Sequence, residues 1–73
     1  RPQLEELTAE ATAARMQQPY STVARWLALW AAAGVAGIRT VRSRGRGGLA
    51  YRVDPSLVKR WLSGDLPEPR MCA

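Results

Sequence analysis

The feature that most restricts this chain is a change of hydrophobic period along its length. Val23, Trp26, Leu27 and Trp30 fall at i, i+3, i+4 and i+7, so a helix gathers all four on one stripe. Leu49, Tyr51 and Val53 alternate with Ala50 and Arg52, so a strand puts the first three on one face. A chain carrying both patterns must pack helices against a small piece of sheet. With 73 residues it can build one modest core. Its hydrophobic share of 47% argues against disorder by composition.

Prolines, glycines and caps divide the rest. Residues 1–7 form a lead-in, with Leu4 and Leu7 free to fold back on the core. Thr8 can cap a first helix over Ala9–Gln17, with Glu10 at its favourable N-terminal end and Ala9, Ala13 and Met16 on one face. Pro19 interrupts that helix after a short turn, and a second helix runs on to a stop at Gly34. Gly37 adds a further break. Ile38–Arg42 is rich in β-branched residues and reads as a strand, 43–48 as a turn, and Leu49–Val53 as the returning strand. Asp54 and Pro55 start a last helix with Leu57, Val58, Trp61 and Leu62 as its buried stripe, ending at Gly64. The two prolines of 65–69 mark a linker. The expected division is therefore a lead-in at 1–7, one domain at 8–64 and a linker or tail at 65–73. The expected class is mainly α with a small β-hairpin (α+β). The order helix, turn, helix, hairpin, helix is that of a winged helix-turn-helix.

Charge points to a partner. The net charge is +5, and no acid lies between Glu10 and Asp54. That interval holds seven arginines: Arg15, Arg25, Arg39, Arg42, Arg44, Arg46 and Arg52. A basic centre between acidic ends suits a polyanion, and double-stranded DNA is the expected partner. The chain has no histidine and a single cysteine, Cys72, so an internal disulfide is impossible and a zinc site is not expected. A lone thiol fits a reducing cytoplasm, here that of a bacterial or phage-infected cell. There is no apolar run of membrane-spanning length and no secretory signal pattern, so no membrane partner is expected. Without paired carboxylates or a nucleophile motif, neither enzymatic activity nor a cofactor is expected of these residues. The chain starts at Arg1, which suggests a fragment of a longer protein.

The segment "TAEATAARMQQPYSTVARWL" (residues 8–27) resembles a helix-turn-helix in detail. Ala13 is the small residue inside the first helix, Met16 the apolar residue before the turn, and Val23 the β-branched residue of the second helix. Gln17 stands where the pattern often has glycine, and Gln18 where it often has an apolar residue. The stretch "IRTVRSRGRGGLAYRVDPSLVKRWL" (residues 38–62) looks like the wing and closing helix of small phage and mobile-element DNA-binding domains. The resemblance is to the N-terminal domains of Mu-type phage transposases and their repressors. It extends to excisionase or MerR-like domains and to lambda-type terminase small subunits. It implies transposition, DNA recombination or transcription regulation.

Residue roles follow from that layout. The second helix would enter the major groove, presenting Tyr20, Ser21, Thr22 and Arg25, with Arg25 able to bind guanine O6 and N7 together. The wing would place Arg39, Arg42, Arg44 and Arg46 on the phosphate backbone or in a minor groove, loosened by Gly45 and Gly47. A winged-helix module that binds protein and no DNA is the alternative. Trp26, Trp30, Trp61 and Tyr51 lie at core positions. Leu29 points off the stripe, toward packing on Leu4 and Leu7 or toward self-association in the parent protein.

Overall fold

The computed structural model describes residues 5–42 and 49–69. Its elements run β1 (Leu7–Thr8), α1 (Ala9–Met16), α2 (Tyr20–Ala32), β2 (Ile38–Arg42), β3 (Leu49–Val53) and α3 (Pro55–Leu62). The result is a small α+β domain of three helices and a three-stranded antiparallel sheet. The sheet order is β1-β3-β2, with β3 in the middle. Leu7 pairs with Val53 and Val53 with Ile38, so these three side chains form one row across the core face. The third strand was not expected from the sequence. Two residues are too few to show alternation, and Leu7–Thr8 is extended only because β3 offers it a partner.

Side chains cap two of the helix starts. Thr8 Oγ1 accepts from the Ala11 amide at 3.1 Å, and Asp54 Oδ1 accepts from the Ser56 amide at 2.9 Å. The hydroxyl of Thr12, fully buried in α1, donates to the Thr8 carbonyl at 2.8 Å, so its burial leaves no polar atom unpaired. Helix α2 follows Pro19, which gives it no side-chain cap.

All three helices end in one hydrogen-bond pattern, in which a left-handed residue and its successor donate back to the last turn. At α2, Gly34 donates to Ala31 at 3.1 Å and Val35 to Trp30 at 3.0 Å. At α3, Gly64 donates to Trp61 at 3.2 Å and Asp65 to Arg60 at 2.8 Å. At α1, Gln17 donates to Ala14 at 3.2 Å and Gln18 to Ala13 at 3.1 Å. Gly34 and Gly64 adopt φ of +82° and +87° without a Cβ penalty, but Gln17 holds φ 57° with one. Helix α1 thus stops at Met16, one residue before the sequence-based limit.

The core is built from Leu7, Ala13, Met16, Val23, Trp26, Leu27, Trp30, Val53, Leu57, Val58 and Leu66. The stripe expected on α2 is buried as a whole. Trp26 links two helices, its ring centroid 5.8 Å from that of Trp30 and 5.7 Å from that of Trp61 on α3. Such tilted aromatic pairs stabilise beyond their buried area, by about 0.5–1.5 kcal/mol each.

Several expectations need correction. Leu62 is 61% exposed, not core. Five residues on from Leu57 it lies about 140° round the helix, and it sits in the last turn. Leu49 is 70% exposed although it shares a strand face with Val53. Four extended residues carry it about 13 Å away from Val53, and β1 pairs only with the Val53 end of β3. Leu66 is only 5% exposed, so 65–69 is not a free linker. Trp30 Nε1–H also donates to the Pro67 carbonyl at 3.2 Å, which ties this segment to α2. Leu29 borders Leu66, Pro67 and Pro69, while Leu4, one of its expected partners, lies outside the described residues.

Candidate nucleic-acid interface

Helix α2 has one buried side, and the residues of interest lie around the rest of it. Tyr20 is 54% exposed, Ser21 and Arg25 are exposed, and Thr22 is half-buried. Ser21, Arg25 and Ala28 lie opposite the stripe of Val23, Trp26, Leu27 and Trp30. The small side chains of Ala24 and Ala28 on this outer side leave the helix backbone accessible to a large partner. Pro19 supplies no side-chain acceptor, so the first-turn amides of α2 lack the cap that α1 and α3 have. Free amides at a helix N-terminus favour anions such as phosphate.

The hairpin is held in register from Ile38↔Val53 to Arg42↔Leu49. Arg42 closes the described part of β2 and is exposed. Arg44, Arg46, Gly45 and Gly47 fall in the segment between the paired ends and lie outside the described residues. The charge is distributed accordingly. The described residues include seven cations and six acids, while Arg1, Arg44, Arg46 and Arg70 lie outside them. Most of the positive excess therefore belongs to the chain ends and to residues 43–48, outside the described residues.

Arg39 is engaged differently from its expected wing role. Its Nε donates to Glu6 Oε2 at 3.1 Å and its Nη2 to Glu6 Oε1 at 2.6 Å, a two-pronged pair on the outer face of the sheet. The hydrogen bonds from Arg39 hold the Glu6 carboxyl below its ordinary value, and the same contact raises Arg39. Arg39 is thus partly neutralised and ties the chain before β1 to β2. Arg52, opposite Arg39 on β3, points one guanidinium nitrogen at the Tyr51 carbonyl at 3.2 Å.

Sequence reasoning missed the C-terminal side of the candidate site. Glu68 and Pro69 share a concavity of about 250 Å³ with Arg25, Trp26 and Leu29. It adjoins an apolar groove of about 420 Å³ formed by Leu29, Trp30, Ala33 and Val35 on one side and Leu66, Pro67 and Pro69 on the other. The signal available was the spacing in "LPEP": residues before proline are restricted to extended backbone, so Leu66 and Glu68 sit on a stiff strip. Among the described residues no group of three or more His, Cys, Asp or Glu side chains could hold a metal ion, and no helix is long and apolar enough to cross a membrane. No family model matches the chain, and neither a curated protein nor a solved structure matches it.

Proposed function

We propose that this chain is a winged helix-turn-helix domain that binds double-stranded DNA in a sequence-specific manner. The observation that carries this reading is an uncovered helix face together with an antiparallel hairpin. The outer face of α2, with Tyr20, Ser21, Thr22 and Arg25, is left uncovered by the core. The antiparallel hairpin β2–β3 is paired as far as Arg42 and Leu49, and the sequence between them, outside the described residues, is rich in arginine and glycine. A short turn with a left-handed residue between α1 and α2, and a hairpin after α2, are the parts such a domain requires. In this reading α2 enters the major groove, Arg25 contacts guanine, and the uncapped first turn of α2 lies against a phosphate. Arg42, Arg44 and Arg46 follow the backbone or a minor groove. Arg39 holds the base of the wing through Glu6 instead of contacting DNA.

The sequence resemblance places such a domain in a phage or mobile-element protein, acting in transposition or its regulation, with excisionase-like or terminase-small-subunit recognition as the neighbouring possibilities. A protein-binding winged helix is the second reading, favoured by the apolar groove beside α2. Binding to mixed-sequence duplex over a salt series separates the two. A DNA domain loses affinity with a log–log slope of about −0.9 per phosphate neutralised. Arg44→Ala/Arg46→Ala should flatten that slope, and Arg25→Ala should flatten preference among sequences. No binding at low salt would refute the DNA reading and direct attention to the groove.

A further inference from the structure

The C-terminal segment 65–69 lies along the flank of α2, and it is held there at two consecutive residues. Leu66 is buried in the core, and the Pro67 carbonyl accepts the indole hydrogen bond of Trp30 at 3.2 Å. Glu68 comes next, between two prolines that restrict its backbone on both sides. Its position is therefore set by the core and not by a free tail. It lines the same concavity as Arg25, the residue assigned above to base contact. The ion pair found among the described residues is Arg39–Glu6, so Arg25 and Glu68 border the concavity without closing on each other.

We infer that Glu68 is a specificity-determining residue of the DNA face, acting through Arg25; this rests on the DNA-binding reading. A carboxylate carried on an anchored backbone beside a guanidinium has two effects. It repels phosphate, which weakens sequence-independent binding. Its charge also attracts the Arg25 guanidinium across the concavity, which narrows the orientations the planar fork takes and favours the one that meets a base edge. An arginine without such a neighbour binds any phosphate within reach. The strip that looks like a linker thus supplies a negative element beside the single arginine of α2, which makes that arginine selective.

The test is a cycle of four proteins: the parent chain, Glu68→Gln, Arg25→Ala and the double variant. Each is titrated with inorganic polyphosphate, which has charge but no bases, and with mixed-sequence duplex. Glu68→Gln should tighten polyphosphate binding about threefold at low salt, the order expected when a unit charge beside a bound anion is lost in high dielectric. The gain should fade as salt screens it. In the Arg25→Ala background the gain should largely vanish, and Glu68→Asp should behave like the parent. Selection from a randomised duplex pool should enrich a guanine-containing site with the parent and a weaker preference with Glu68→Gln. An equal gain in both backgrounds, or none in either, would overturn the inference, because Glu68 would then be an ordinary surface acid. Coupling on polyphosphate without any duplex preference in the parent would instead overturn the DNA-binding reading and leave Glu68 as a filter on anion binding.

Discussion

Gln17 gives the most direct check on the turn between α1 and α2. It occupies φ 57° and ψ 44°, and both hydrogen bonds of the motif use backbone atoms. Its side chain is exposed, so removing it sacrifices no core contact. A residue with a Cβ in this region costs about 1–2 kcal/mol relative to the right-handed helix. Glycine avoids that cost but gives up about 0.5–1 kcal/mol through greater freedom of the unfolded chain. Gln17→Gly should therefore stabilise the domain by about 0.5–1 kcal/mol. For a domain of this size that corresponds to a rise in melting temperature of about 2–8 °C. Gln17→Val should act in the opposite direction, because a β-branched side chain tolerates a positive φ worst. Thermal unfolding followed by far-ultraviolet circular dichroism measures all three proteins. If Gln17→Gly melts below the parent, or Gln17→Val equals it, the turn is not left-handed at this residue and the proposed relation of α1 to α2 fails.

Other substitutions test the remaining parts. Asp54→Ala removes the cap of α3 and should cost about 1 kcal/mol in urea unfolding, with Asp54→Asn retaining most of it. Leu66→Ala should cost about 2–4 kcal/mol and speed proteolysis after Leu66, whereas a true linker residue would change neither. Glu6→Gln addresses pH: the Glu6 carboxyl titrates below its ordinary value of 4.5 in the folded protein, so its contribution is present above that pH and disappears as pH falls through the lowered value. The stability gap between parent and Glu6→Gln should accordingly be small at neutral pH and close on acidification; a gap that widens in acid would contradict the pairing with Arg39.

The short turn bears on how the domain can be used. Helix α1 packs on α2, and the turn over 17–19 sets the angle between them through Gln17 and the fixed φ of Pro19. The ring cluster of Trp26, Trp30 and Trp61 then fixes α3 and the C-terminal strip relative to α2. Residues that shape the outer face of α2 are therefore held from below by aromatic packing, which keeps Arg25 on a rigid element.

Much of this was written locally. The i, i+3, i+4, i+7 spacing specified the buried stripe of α2, because helical geometry alone brings those four residues together. The caps Thr8 and Asp54 and the stops Gly34 and Gly64 marked helix ends, because each acts on backbone groups within a few residues of itself. The strands Ile38–Arg42 and Leu49–Val53 were likewise legible from β-branched content and alternation. Tertiary structure decided what depends on partners distant in sequence. It made a strand of Leu7–Thr8 by offering β3 as a neighbour, and it left Leu49 and Leu62 exposed because none of the described elements covers them. It brought Arg39 to Glu6, 33 positions away. It also turned "LPEP" from a linker into one wall of the candidate site, because Trp30 and Leu66 meet only once the helices have packed. Local patterns fix which residues can be buried; only the packed chain fixes against what.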